Sequence, residues 1–215
     1  MTTQIRLGDI TIHRVVEQEA ATFFDAFEFF PTLTKEIWED NRGWLQPRYI
    51  DRDGKVVLCV QSYLVQTPHH NILIDSCVGN HKPRPARPMW SMLNSDTYEK
   101  NLAATGIGMA DIDYVMCTHL HVDHVGWNTR LENGRWVPTF PKAKYLFADR
   151  ELEFWTAKHQ EDAQDNERHD QCLAPLQAIR RLSKCALHAN YRRKLRTVAV
   201  ECRVTVCGLG RLDCG

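Results

Sequence analysis

The 215-residue chain lacks any run of about 18 apolar residues, which excludes a membrane-spanning helix. Its first residues, Met1 to Asp9, lack the basic start and apolar stretch of a secretory signal peptide. A cytoplasmic protein with no membrane partner is the expectation. None of the eight cysteines has a partner at the two-residue separation of zinc ribbons and redox pairs. Cys59, Cys77, Cys117 and Cys172 are widely scattered, so reduced thiols packed in a core are expected rather than a disulfide framework. Internal repeats and low-complexity segments are absent, and so is net charge. That zero is a sum of opposites: residues 180–215 carry nine Lys and Arg against two Asp and Glu, a local +7 that offsets −7 over the rest.

What is present reads as one α/β globular domain, 43% hydrophobic and 25% charged. Val56–Gln66 and Ile72–Asp75 are rich in β-forming residues and flank turn chemistry at Thr67–Asn71, which predicts a hairpin ending in an acid. Ser95-Asp96 precedes Tyr98 and Leu102, four apart, and Gly106 follows, which predicts a short helix. Tyr114-Val115-Met116-Cys117-Thr118 is nearly continuous in apolar residues, the pattern of a strand covered on both faces. Phe140–Phe147 predicts another strand, Asp149–His159 a helix packing through Leu152 and Trp155, and the spacing of Leu173, Leu176, Ile179 and Leu182 a further helix.

The segment Thr118-His119-Leu120-His121-Val122-Asp123-His124-Val125-Gly126 holds four metal-ligand residues in six consecutive positions. In an extended chain, residues two apart point the same way at roughly 6 to 7 Å, so His119 and His121 can present both imidazoles to one ion and Asp123 continues that face. His124 can join Asp123 at a second ion only where the backbone turns, and Gly126 supplies permissive conformations. Nitrogen and carboxylate donors suit zinc, while iron and manganese also fit by ligand type. The segment follows directly on a buried strand, where open α/β sheets place ligands.

Thr-His-Leu-His-Val-Asp-His-Val-Gly resembles the His-x-His-x-Asp-His signature of the metallo-β-lactamase superfamily. Asp111-Ile112-Asp113-Tyr114-Val115 resembles the run-up to that signature, and Ile72-Leu73-Ile74-Asp75 resembles the earlier strand that ends in a supporting aspartate. Phe140 to Phe147 is similar to the next strand in the lactonase-like and organophosphate-hydrolase-like branches, and the resemblance spans roughly residues 50–180. It implies an αββα sandwich, with the N-terminal half largely present and the C-terminal half missing. It implies that His119 and His121 hold one metal, Asp123 and His124 a second, and that Asp75 orients the loop. The implied cofactor is Zn²⁺, two ions with other divalent metals possible, and the implied activity is hydrolysis of a small lactone or other ester-type substrate by a metal-bound hydroxide, with Asp123 as the catalytic residue.

The resemblance stops short of the family's downstream ligands. His188 is the sole histidine after His169, and neither it nor Asp213 has the family's context. The expected organisation is therefore an incomplete domain over 1–184 and an atypical basic, cysteine-rich tail over 185–215, read as an altered reading frame or aberrant terminus. Its competitor is a genuine basic tail in which Arg192, Arg193, Lys194 and Arg196 meet nucleic acid or an acidic surface. The lack of interleaved aromatics there, Tyr191 apart, argues against nucleic acid. An unpartnered half sandwich would expose an apolar sheet face, so self-association is expected. The alternative to an enzyme is a non-catalytic metal-binding or interaction module. Among weaker candidates, His69-His70 reads as an exposed turn, Phe23, Phe24, Phe27, Phe29 and Phe30 as core packing or a pocket wall, and Trp127-Asn128 as a possible substrate contact.

Overall fold

The computed structural model describes residues 3–85, 87–162 and 197–201. Strand β1 (Gln4–Leu7) turns back into the long β2 (Ile10–Asp25), which is followed by α1 (Ala26–Phe29) and α2 (Lys35–Leu45). Next come β3 (Lys55–Gln66), β4 (Asn71–Ile74), α3 (Thr97–Ala103) and β5 (Tyr114–Met116). The small hairpin β6 (Thr129–Glu132) and β7 (Arg135–Pro138) precedes β8 (Lys144–Ala148), α4 (Asp149–Asp162) and β9 (Thr197–Glu201). Seven strands form one mixed sheet in the order β1-β2-β3-β4-β5-β8-β9, with β6 and β7 paired apart from it. The strands from β1 to β4 are antiparallel neighbours, β4, β5 and β8 run parallel, and β9 returns antiparallel on β8.

Register decides which side chains share a face. Leu64, Leu73, Val115 and Tyr145 are cross-strand partners along one row and all are buried. They form the core with Val15, Val60, Leu120, Val125, Trp127 and Phe140. Helix α3 closes this side through buried Tyr98 and Leu102, and Asn101 Nδ2 donates to the Val16 carbonyl at 2.8 Å. The opposite row, Tyr63, Ile74, Met116 and Leu146, carries Tyr63 at 42% and Met116 at 40% exposure. The unbroken apolar run at β5 thus misled the expectation of cover on both faces: among the described residues only the Val115 side is packed. Apolar character on the second face is real, but burial depends on a layer that sequence pattern alone does not supply.

The predicted hairpin is β3 and β4, and the predicted helix after Asp96 is α3, with Gly106 at φ +85° beyond its end. The strand expected from Phe140 begins only at Lys144, because Phe140 to Ala143 closes a turn through Ala143 N to Phe140 O at 3.1 Å. Helix α4 begins at Asp149 as expected and packs Leu152 and Trp155 on the core. The phenylalanines of the N-terminal segment do not serve mainly as core: Phe27, Phe29 and Phe30 are 40–47% exposed, and α2 buries no residue. They contact one another and Trp38 beside a small satellite cluster of Ala26, Ile50 and Val56. Cys77 and Cys117 are buried free thiols and Cys59 is half-buried and free, as expected. No described helix is long and apolar enough to cross a membrane. The expected helix over 173–182 and the segment 185–215 lie outside the described residues, apart from 197–201 in β9.

Candidate metal centre

The centre is built where β4 and β5 end side by side. Asp75, one residue past β4, takes a left-handed conformation (φ 57°) that Asp tolerates better than most residues, and its N–H donates to the Met116 carbonyl at 2.9 Å. This turn aims its carboxylate across the end of β5. One oxygen accepts the Thr118 N–H at 2.7 Å, and the other accepts the Thr118 hydroxyl and the His124 Nδ1–H, each at 2.8 Å. Having donated its proton to Asp75, the Thr118 hydroxyl accepts from His119 Nδ1 at 3.0 Å. One carboxylate thereby fixes two imidazoles, His124 directly and His119 through Thr118. Both rings are held by Nδ1, with Nε2 facing away from Asp75.

The four candidate ligands are together. The His119 ring lies 4.7 Å from that of His121 and 3.9 Å from that of His124 between centroids, and His124 Nε2 is 3.4 Å from Asp123 Oδ2. The turn that joins Asp123 and His124 to the cluster closes with His124 N donating to the His121 carbonyl at 3.0 Å. Burial disfavours the imidazolium of His124, but hydrogen bonds to the Asp123 and Asp75 carboxylates outweigh it and raise the ring to about 9. His119 is shifted the other way, by burial first and then by the neighbouring rings. Burial pushes the Asp123 carboxyl up, yet the His124 contact prevails and holds it below its ordinary value.

Gly126 serves a purpose other than conformational freedom. A Cβ there would sit 1.7 Å from the Val78 carbonyl oxygen, so only glycine lets the metal loop lie against the loop after β4. Two backbone bonds, Gly126 N to Cys77 O and Trp127 N to Ser76 O at 2.7 Å each, fasten the two loops. Trp127 and Asn128 are buried supports of the loop, and Trp127 also lines the wall of an open cleft. Trp127 stacks on Tyr98 at 5.2 Å, and Asn128 Oδ1 accepts the Ser76 hydroxyl at 2.8 Å. His69 and His70 are exposed at the hairpin turn.

Three charged residues give no sign in the sequence of the part they play. Glu17 on β2 is buried and accepts the Val78 and Gly79 N–H groups at 2.8 and 2.9 Å and the Trp127 indole N–H at 2.6 Å. Burial raises its carboxyl above the ordinary range against the lowering effect of those donors. Arg84, also buried, donates to the Val78 carbonyl at 2.8 Å. Lys82 is 2% exposed, donates to the Thr129 carbonyl at 2.9 Å and lies 4.2 Å from the centre of the Trp136 ring. The even-numbered apolar positions Ile10 and Ile12 of β2 would place Glu17 on the opposite face, so the pattern of the strand hides its burial. An open cleft of about 190 Å³ lies beyond Trp127, lined by Asn80, His81, Asp96 and Arg130 and by none of the four candidate ligands.

The donor types suit a divalent ion: three imidazoles and a carboxylate, two of the rings already oriented. They stand in pairs rather than as a closed shell. Among the described residues no group of three or more His, Cys, Asp or Glu side chains has the geometry to hold a metal ion.

The family model described as the metallo-beta-lactamase superfamily matches residues 57–184, more than half of the chain. The chain belongs to this superfamily. Among solved structures it is similar to a probable metal-dependent hydrolase from Staphylococcus aureus, at 21% identity and a TM-score of 0.59 over 81% of this chain and 59% of that one. It is similar to AidC, a dizinc quorum-quenching lactonase, at 22% identity and a TM-score of 0.55 over 72% of this chain and 47% of that one. The hydrolase AbOPH of the same superfamily matches at 26% identity and a TM-score of 0.55, over 84% and 59% respectively. The chain thus spans about half to three fifths of the length of these relatives. Comparison with curated proteins finds no match. The superfamily's αββα architecture accounts for the mixed sheet with its helices on one side and the histidine loop at the carboxyl ends of its parallel strands.

Proposed function

We propose that the chain carries the ligand loop of a metal-dependent hydrolase. In this reading His119 and His121 hold one divalent ion, Asp123 and His124 hold a second, and Asp123 is the catalytic residue that touches the reacting groups. The observation that carries it is the Asp75 network: hydrogen bonding one carboxylate to His124 and, through Thr118, to His119 fixes both rings by Nδ1 and leaves both Nε2 atoms turned away from Asp75. An arrangement of that kind costs the fold a buried acid, which a functional site justifies better than packing does. When bound, the ions would activate water and polarise the substrate's carbonyl or phosphoryl oxygen. The chain's own residues orient the donors, hold His119 and His124 by their Nδ1 atoms and set the Asp123 charge beside them.

Zinc is the metal we favour for this donor set, with other divalent ions next. A small lactone or other ester-type molecule is the substrate class, a choice supported by likeness in fold to a lactonase. A second reading, a metal-binding or interaction module without turnover, is favoured by the missing three-donor group among the described residues.

Elemental analysis of the purified protein beside a His121→Ala/Asp123→Ala double variant, with lactone and ester hydrolysis assayed in parallel, tests both readings. Close to two metals per chain with turnover, both lost in the variant, is the expected result. Metal without turnover selects the second reading, and no metal in either protein rejects both.

A further inference from the structure

Helix α4 reaches back to the metal loop through a residue that no motif marks. Glu151 Oε2 accepts the Leu120 N–H at 3.0 Å, the peptide group that lies between His119 and His121. The same oxygen accepts the Trp155 indole N–H at 3.1 Å, and the Trp155 ring stands edge-on to the His121 ring at 5.5 Å between centroids. We propose that Glu151 is a positioning residue for the His119–His121 ligand pair, pinning the backbone between them to α4 while Trp155 braces the His121 ring.

Several physical terms converge on this one carboxylate. Glu151 lies in the first turn of α4, where an anionic side chain is favoured by the helix dipole. A carboxylate acceptor forms a stronger hydrogen bond than a neutral one. The Leu120 side chain is fully buried, which anchors the loop from the core side while Glu151 holds it from the helix side. The Trp155 donor completes the arrangement, because it locks the Glu151 rotamer that faces Leu120. Asp75 fixes His119 and His124 from the strand ends, but none of its bonds reaches His121. Glu151 and Trp155 supply that support from the other side of the loop.

The inference rests on the proposed metal site, and its test separates the two. Metal-free protein is titrated with Co²⁺ against a chelator and the visible absorption of the bound cobalt is recorded for wild type, Glu151→Ala, Glu151→Gln and Glu153→Ala, with folding checked by circular dichroism. Glu151→Ala is expected to bind about 10- to 100-fold more weakly, with altered cobalt bands. Glu151→Gln, which keeps an oxygen facing Leu120, is expected to recover most of the affinity and to move the Leu120 amide proton upfield in the NMR spectrum. Glu153 is exposed on the same helix, and its variant should match wild type. Wild type that takes up no cobalt rejects the metal reading itself. Wild-type affinity and bands in folded Glu151→Ala overturn the role of Glu151. If that variant does not fold, an unmoved Leu120 amide in Glu151→Gln overturns it instead.

Discussion

Asp75 and His124 lie 49 residues apart in sequence and 2.8 Å apart in space, carboxylate to Nδ1, and the contact joins the ends of two parallel strands to the candidate metal loop. Replacing Asp75 by Asn keeps the shape but removes the charge and one acceptor. We expect metal affinity to fall about 10- to 100-fold while the fold is retained. Chelator competition on Asp75→Asn checks this, and unchanged affinity would remove Asp75 from any part in ordering the loop.

Thr118 is the relay to His119, so Thr118→Val should cost affinity and Thr118→Ser should not. Serine keeps the hydroxyl and loses the methyl group, whereas valine keeps the shape and loses the hydroxyl. About a tenfold loss confined to the valine variant is expected, measured by the same titration. Equal behaviour of both variants would show that His119 takes its orientation from elsewhere.

Gly126→Ala places a methyl group within 1.7 Å of the Val78 carbonyl oxygen, and backbone atoms rather than a flexible side chain must give way. A destabilisation of about 3 kcal/mol or more is expected. Urea denaturation provides the measurement, and a loss below about 1 kcal/mol would mean that the two loops separate easily.

Lys82 gives a pH signature. Burial first, and the Arg84 charge next, lower its ammonium to about 7 from an ordinary 10.5. The unfolded chain therefore holds this proton more tightly than the folded one between those values, so stability rises with pH across that window and the penalty is complete below about 7. From pH 7 to 9, wild type should gain about 2 to 3 kcal/mol relative to Lys82→Met. Denaturation of both proteins at matched pH decides the matter, and a constant difference between them would place the Lys82 charge in water.

Glu17→Ala leaves the Val78, Gly79 and Trp127 N–H groups without their acceptor and removes the carboxylate whose charge faces Arg84. A loss of about 3 to 5 kcal/mol is expected from breaking a buried charged network on one side. Thermal unfolding of the variant measures it, and a drop of only a degree or two would contradict the burial argument.

Sequence made the middle of the molecule legible because its signals there are local. Ligand types at His119, His121, Asp123 and His124 stand within six residues, and the β3–β4 hairpin announces itself by two β-forming runs around a turn. What stayed hidden depends on contacts between distant segments. Gly126 reads as a flexible residue until the Val78 carbonyl is seen against it, and nothing in the sequence shows that Trp127 stacks on Tyr98 and donates to Glu17. The phenylalanines near Phe27 carry a core composition but lie outside the sheet's packed face, and composition does not specify which side of a sheet a segment covers. Glu151 is invisible for the same reason, since only the fold brings α4 to Leu120.

The bond between Glu17 and Trp127 also has a history in time. It closes a loop of 110 residues, an entropic cost on the order of 4 kcal/mol that must be met before the contact returns anything. On a ribosome working at roughly 5 to 20 residues per second, Glu17 emerges some 5 to 20 s before its indole partner. Through that interval β2 has β3 to pair with and Glu17 gains the Val78 and Gly79 N–H groups, but the carboxylate lacks the indole donor that ties it to the histidine loop. The histidine loop is therefore expected to settle only once Trp127 is in place, and hydrogen-exchange labelling of nascent chains should find the Gly79 amide reaching full protection only after Trp127 has been made.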